Sequence, residues 1–155
     1  MIRIFLIGPL KSSFIIQGTE QYKKWLNPYT KNELVELELK KNIKKLSREE
    51  VTAYDFLRIE PFFEKDSANI VLDETGIILS SVELSRKIVF WNNSSKKSIN
   101  FFIGGPWGHD SRVYAKADMV LSMSKMTFTH EMIVLFLYEQ IYRAYKIINN
   151  EKYHY

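Results

Sequence analysis

Three histidines are the side chains of this sequence that titrate closest to neutral pH, so they are the first candidates for moving a proton. They lie far apart along the chain, at His109, His130 and His154. The 155 residues include no cysteine, which excludes disulfides and thiolate metal sites. We therefore expect no bound metal ion, and we look to a histidine for any acid–base step.

The last apolar segment of the chain contains a charged pair and several tyrosines at helical spacing. Glu139 and Arg143 are four residues apart, and an ion pair on a helix surface is a sufficient explanation of that spacing. Tyr138, Tyr142 and Tyr145 fit packing against a core better than stacking on nucleic-acid bases. Spacing alone therefore does not indicate a site in this segment.

Two connecting segments have an unusual composition. Gly104-Gly105-Pro106-Trp107-Gly108 lets the backbone approach a ligand closely, but it lacks the spacing of dinucleotide and phosphate loops, and a tight turn without a ligand fits it equally well. The second segment, Ser122 to His130, is rich in hydroxyl and thioether groups that can surround an adenine. In the alternative interpretation, Thr129 caps the next helix, and Met123 and Met126 fill the core.

Hydrophobic periodicity predicts five strands that alternate with five helices. The strands are expected at Ile2–Ile7, from about Val35 to Lys40, and at Asn69–Leu72, Ile99–Ile103 and Met119–Leu121. The helices are expected from a cap at Ser13 to Leu26, from a capping box at Ser47 to Ile59 or Phe63, from a capping box at Ser80 to Trp91, and at Ser111–Ala117 and Met132–Ile148.

This alternation is typical of an α/β fold with a mostly parallel sheet flanked by helices. In open α/β sheets, ligands bind at the carboxyl ends of the strands. The sequence therefore singles out the segments after Leu72, Ile103 and Leu121 as the place of a site.

Charge and composition limit the classes of partner. Twenty-two Lys and Arg residues against 18 Asp and Glu residues give a net charge of +4, which permits an anionic partner such as nucleic acid. Four lysines within residues 40–45 indicate a solvated loop more than a phosphate contact. The apolar segment Ile2–Ile7 is too short for a signal peptide or a membrane span. We expect one cytoplasmic domain, residues 1–155, without membrane contact.

Four motifs, in order, resemble those of the bacterial RlmH methyltransferases of the SPOUT superfamily. They are Leu72-Asp73-Glu74-Thr75-Gly76 with Ser80-Ser81-Val82-Glu83, Phe102 to Gly108, Leu121 to His130, and Tyr142 to His154. The resemblance implies a SPOUT-type (alpha/beta knot) fold, whose C-terminal part is threaded into a deep trefoil knot that general topology rules would not predict. It also implies a homodimer that uses S-adenosylmethionine to methylate N3 of a pseudouridine in 23S ribosomal RNA, on the large subunit of the assembled ribosome.

Position by position, the resemblance implies two sets of site residues. The cofactor set is Leu72, Gly104, Met123, Ser124, Lys125, Met126, Thr127 and Phe128, and the catalytic set is His130, Glu139, Arg143, Tyr153 and His154. The pseudouridine N3 proton must be removed, which requires a base or a water path. We favour His154 of the partner subunit as the base, and His130, at a helix start, as the group that accepts or relays the proton. Arg143 binds RNA phosphate or orients the tail, and Glu139 fixes its direction.

Three positions depart from the family pattern. Thr129 and Val134 stand where the family has a proline and an arginine, and Tyr155 stands where a basic residue ends the chain. These changes remove rigidity or positive charge, so we expect them to alter RNA affinity or site choice and to leave cofactor binding intact.

The competing interpretation is a catalytically inactive α/β RNA- or ribosome-binding module, which would not bind S-adenosylmethionine. A flavin- or nucleotide-binding domain is a third class, and it would need a phosphate-cradling loop that this sequence lacks. Titration with S-adenosylmethionine discriminates the first two classes.

Overall fold

The computed structural model describes residues 1–39 and 45–152. In that part of the chain, five parallel strands form one sheet in the order β2-β1-β4-β3-β5. The strands are β1 Ile2–Ile7, β2 Asn32–Leu37, β3 Ala68–Ile78, β4 Ile99–Ile103 and β5 Met119–Ser122. The helices are α1 Ser13–Leu26, α2 Arg48–Ile59, α3 Ser81–Asn93, α4 Ser111–Tyr114 and α5 His130–Ile148. This architecture confirms the predicted α/β class with a parallel sheet flanked by helices.

Alternation along the central strands divides the core between the two faces of the sheet. Ile4 and Leu6 of β1 point into the core under α1, α3 and α5, whereas Phe5 and Ile7 pack on the opposite face against α2. Helix α5 lies between α1 and α3 and packs against both. Because both faces of the sheet are covered, the central strands β1 and β4 are mostly apolar, whereas the edge strand β2 carries Glu33 and Glu36.

Strand β3 is longer than the sequence predicts. The expected end was Leu72, since Asp73-Glu74-Thr75-Gly76 has the composition of a turn, but the strand continues to Ile78. Leu121 of β5 pairs with both Leu72 and Ile77, so residues 73–76 bulge out of the ladder. A Cβ on Gly76 would lie 2.7 Å from backbone atoms of Val120 and Leu121, so only glycine fits this approach of β3 to β5.

Helices α2, α3 and α5 begin at capping residues that the sequence indicates, and α1 is the exception. Ser47 and Ser80 form complete capping boxes with Glu50 and Glu83. The side chain of Thr129 accepts from the Met132 N–H, so α5 begins at His130, two residues before the expected start. The capping interpretation of Thr129 is thus confirmed.

The other boundaries differ modestly from expectation. Ser13 is the first residue of α1, not its cap, and Ser12 at the cap makes no side-chain cap hydrogen bond. Strand β2 ends at Leu37 and not near Lys40, and α4 is a single turn that ends at Tyr114. Within residues 40–45, the expected basic loop, residues 40–44 lie outside the described residues.

Candidate active site

The three segments singled out in the sequence meet at one cavity at the carboxyl edge of the sheet. The cavity has a volume of about 840 Å³ and is lined by residues 72–74, 103–109 and 121–131 without Lys125, together with Ser12, Arg48 and Ile133. Parallel strands end at the same edge, and the bulge in β3 turns Asp73 and Glu74 towards this space. The fold therefore places a pocket of ligand size where an α/β sheet binds ligands.

The glycine turn forms one wall of the cavity and is closed by its own backbone. The Gly108 N–H donates to the Gly105 carbonyl at 3.0 Å, and Gly108 adopts a φ of +79°, a conformation that favours glycine. A Cβ on Gly104 would lie 3.0 Å from the Gly108 backbone and 3.3 Å from the His109 ring. A side chain at position 104 would thus crowd the folded turn, a reason for glycine that the sequence does not reveal.

His109 ties the ends of two strands together. Its Nε2 lies 3.2 Å from the carbonyl oxygen of Leu72, and the ring also hydrogen-bonds the backbone of Phe102. Burial lowers the pKa of His109 below its ordinary value, although nearby Asp73 opposes that effect. Burial is the largest effect on this pKa and favours the neutral ring, and the contacts of His109 with the backbone of Leu72 and Phe102 link β3 and β4 at the cavity.

Asp73 is the best-connected carboxylate at the cavity. It accepts hydrogen bonds from the Thr75 backbone N–H at 2.9 Å, the Thr75 hydroxyl at 2.6 Å and the Tyr114 hydroxyl at 2.7 Å. Burial raises the pKa of Asp73, but the hydrogen bonds outweigh burial and the net pKa is lowered. The carboxylate therefore stays ionised and fixes the bulge in β3.

The loop between β5 and α5 forms the opposite wall. The Ser122 hydroxyl donates to the Ser124 carbonyl at 2.8 Å, and the Ser124 hydroxyl accepts from the Met126 N–H at 2.9 Å. Met123 packs against the core, whereas the Met126 side chain is 71% exposed, so the core-filler interpretation holds only for Met123. Phe128 lies edge-on against Phe136 with ring centroids 5.1 Å apart.

The start of α5 is tied to the start of α1 at the cavity rim. The Glu131 carboxylate accepts the backbone N–H groups of Lys11 and of Ser12, the N-cap residue of α1, both at 2.9 Å. These bonds hold the pKa of Glu131 below its usual value. His130 lines the cavity beside it, and burial lowers the pKa of His130, so its imidazole is neutral at pH 7.

The structure gathers only part of the site residues that the sequence predicts. Leu72, Gly104, Met123, Ser124, Met126, Thr127, Phe128 and His130 line the cavity, and Lys125 is exposed beside it without lining it. Glu139 and Arg143 do not line it, because they lie further along α5; Arg143 is thirteen residues after His130, or about 20 Å along the helix axis. Tyr153 and His154 lie outside the described residues.

Glu139 and Arg143 form an ion pair with each other, which is the simpler interpretation of their spacing. Arg143 donates from Nε at 3.0 Å and from Nη2 at 2.6 Å to the same carboxylate oxygen. Val134, the position of the family's arginine, is fully buried in the core. The expectation that this departure alters RNA affinity or site choice stays a prediction.

Several residues of the cavity were not predicted as site residues. Asp73, His109, Glu131, Arg48 and Trp107 all line it. Asp73 and His109 directly adjoin the predicted Leu72 and the glycine turn, and adjacency to a strand end was the one available signal. Arg48 and Glu131 reach the cavity only through tertiary packing, which the sequence pattern does not encode.

Two general features of the described residues bear on the kind of site. No group of three or more His, Cys, Asp or Glu side chains in residues 1–39 and 45–152 is arranged to hold a metal ion. In the same part of the chain, none of the helices combines the length and apolar character needed to cross a bilayer.

A parallel sheet with a deep cavity at its carboxyl edge is an architecture shared by many nucleotide and cofactor enzymes, and comparison with known proteins defines the class. Residues 1–154 match the family model described as "Predicted SPOUT methyltransferase". The chain therefore belongs to the SPOUT methyltransferase family, as the sequence motifs predict.

Its relatives bear one particular name. A protein of Desulfotalea psychrophila named Ribosomal RNA large subunit methyltransferase H is 42% identical over 97% of both chains. A protein of Kosmotoga olearia with the same name is 38% identical over 99% of both chains. The solved structure of a probable methylase family protein from Haemophilus influenzae matches 99% of this chain and 70% of that one, with a TM-score of 0.56 and 16% identity, which supports the fold alone.

Proposed function

We propose that this chain transfers the methyl group of S-adenosylmethionine to N3 of a pseudouridine in 23S ribosomal RNA. The observation that carries the proposal is that Leu72, the glycine turn and the loop before α5 enclose one cavity in a member of the SPOUT methyltransferase family. The names of the relatives support ribosomal RNA of the large subunit as substrate. We propose further that residues 1–155 form one catalytic domain that acts in the cytoplasm on the large subunit or the assembled ribosome.

The family's trefoil knot is part of the proposal. We propose that the chain from β5 through α5 is threaded in this way. The close approach of β3 to β5 at Gly76 fits such a tight crossing of backbone segments.

The lining of the cavity fits a methyl donor of this kind. Its volume, about 840 Å³, lies in the range of small-molecule sites. The wall formed by Met126 and Phe128 offers apolar contact for an adenine, and the hydroxyls of Ser124 and Thr127 can serve polar groups. When bound, S-adenosylmethionine supplies an electrophilic methyl group on a positively charged sulfur. Asp73 and Glu74 place negative charge at the same cavity, which favours a cationic ligand.

We assign removal of the proton on N3 of the pseudouridine to a histidine. His130 lines the cavity and is neutral at pH 7, so it can accept or relay the proton, whereas the ring of His109 is engaged by backbone carbonyls. His154 remains the predicted base. Separate His130→Ala and His154→Ala variants, assayed at saturating donor, decide between them, because the true base costs about 10²–10⁴-fold in turnover.

We propose that the active enzyme is a homodimer. Arg143 and His130 stand about 20 Å apart on one straight helix, so both can serve one site only if the second chain supplies one of them. Helix α1 leaves large apolar side chains exposed, among them Phe14 at 63% and Trp25 at 45% exposure. Such a surface fits an isologous contact between two copies.

Mixing two inactive variants tests this sharing. When His130→Ala and Arg143→Ala chains reassemble at random, half of the dimers are heterodimers. Each heterodimer has one intact shared site out of two, so we expect recovery of about a quarter of wild-type activity. If each site used both residues of one chain, mixing would restore nothing.

Calorimetric titration with S-adenosylmethionine, alongside sedimentation, tests the proposal as a whole. We expect saturable binding near one per chain on a dimer, with weaker binding for Phe128→Ala and unchanged binding for Phe90→Ala, a control at an exposed phenylalanine on α3 that does not line the cavity. Absence of binding at millimolar donor would favour the inactive RNA- or ribosome-binding module instead.

A further inference from the structure

One aromatic side chain stands at the cavity on the wall opposite the loop before α5. Trp107 lines the cavity and is 47% exposed, so part of its side chain is available for contact with a ligand that enters from solvent. Of the proposed donor contacts, Gly104 belongs to the same turn as Trp107, whereas the apolar contacts Met126 and Phe128 belong to the loop before α5; Trp107 itself is not among the proposed donor contacts.

The turn that bears Trp107 is held in place from three directions. The Gly105–Gly108 bridge closes it, and His109 anchors its end to Leu72. Arg48, the first residue of α2, donates from Nε to the carbonyl oxygen of Trp107 at 3.1 Å. A ring on such a turn is pre-positioned, so little conformational entropy is lost when a flat ligand packs against it.

Chemistry on a ring nitrogen inside a folded RNA requires that the base leave its stack and enter the pocket. Proteins offset the lost stacking with an aromatic face, which accepts any base. The acceptor must approach from the open side of the cavity, where Trp107 is exposed. We infer that Trp107 is the stacking platform for the extruded acceptor base, and that Arg48 positions it; this inference rests on the proposed function.

Arg48 has a second property that suits this place. Its side chain is exposed, and its terminal nitrogens make no hydrogen bond within residues 1–39 and 45–152. A guanidinium next to a stacked base can bind the phosphate of the same nucleotide while its Nε holds the turn. Arg48 thus both positions Trp107 and recognises the RNA backbone.

Steady-state methyl transfer to unmethylated large subunits, with Trp107→Ala, Trp107→Phe and the control Phe90→Ala, tests the inference. For Trp107→Ala we expect a loss of about ten- to a hundred-fold in kcat/KM for the ribosomal substrate, the size of one stacking contact. The Phe variant should recover most of that loss, because it restores a π face, and Phe90→Ala should match wild type. Donor affinity, measured by calorimetry, should stay within about two-fold in every variant, as expected when no donor contact is removed.

Three outcomes would overturn the inference. The first is unchanged kcat/KM in Trp107→Ala, and the second is an equal loss of donor affinity, which would make Trp107 a donor contact. The third is failure of Trp107→Phe to recover activity while donor binding is normal, which would indicate a shape requirement and no stacking. If the wild-type chain transfers no methyl group, the proposed function fails; co-sedimentation with large subunits then decides, since Trp107→Ala must still weaken binding for the inference to stand.

Discussion

The bridge from Glu131 to the N-terminus of α1 yields the sharpest prediction about stability. Glu131→Ala removes two hydrogen bonds of 2.9 Å that a carboxylate accepts from the backbone N–H groups of Lys11 and of Ser12, the N-cap residue of α1. A cap is worth about 1 kcal/mol, and a charge-assisted hydrogen bond more when shielded. Because Glu131 lies at the surface and solvent screens it, we expect the free energy of unfolding to fall by about 1–2 kcal/mol.

Urea unfolding at fixed protein concentration measures the effect, and thermal melting should show a decrease of about 2–8 °C in Tm. Glu131→Gln should lose less than Glu131→Ala, since the amide oxygen still accepts a hydrogen bond. Glu38→Ala is the matched control, because Glu38 is exposed and makes no hydrogen bond or ion pair to another residue in the described part of the chain.

The pH dependence gives an independent check on the cause. The folded-state pKa of Glu131 is lowered, so its contribution is complete above the unfolded value near 4.3 and is lost as the pH falls through the lowered folded value. The stability difference between wild type and Glu131→Ala should therefore shrink when unfolding is measured below pH 4. A wild-type-like variant at pH 7, or a difference that persists unchanged at pH 3, would refute the reasoning.

Three further predictions follow from particular contacts. Gly76→Ala should destabilise the fold by about 1–3 kcal/mol or more in urea melts, because its Cβ would lie 2.7 Å from the β5 backbone, and wild-type stability would contradict that approach. Ser80→Ala should cost about 1 kcal/mol in the same assay through loss of a capping box, with no change in donor affinity. The pH profile of turnover separates the two histidines: with His130 as the proton acceptor, the acidic limb of kcat lies below the usual histidine pKa near 6.5, because burial lowers the pKa of His130, and a limb centred above 6.5 would exclude His130 and favour His154.

The elements were predictable where a local signal defines them. The apolar run Ile2–Ile7 and the capping boxes at Ser47 and Ser80 gave β1, α2 and α3 close to their observed bounds. The extension of β3 through Asp73 to Ile78 was not predictable, because pairing with β5 overrides the turn-like composition of these residues. Strand order likewise depends on long-range packing and has no local signature.

The candidate site was predictable in position and only partly in composition. The rule that ligands bind at the carboxyl ends of strands locates the cavity, and the motif resemblance selects the loop before α5. Spacing along the sequence cannot show that Arg48 reaches the glycine turn or that Glu131 bridges two helices.

The most direct test of the central claim is methyl transfer itself. Purified protein would be incubated with S-adenosylmethionine labelled in the methyl group and with large subunits or ribosomes that lack the modification, and the 23S ribosomal RNA would be digested and analysed by mass spectrometry. We predict one labelled methyl group per RNA, on N3 of a pseudouridine. Saturated donor binding without any labelled nucleoside in 23S ribosomal RNA would contradict the account.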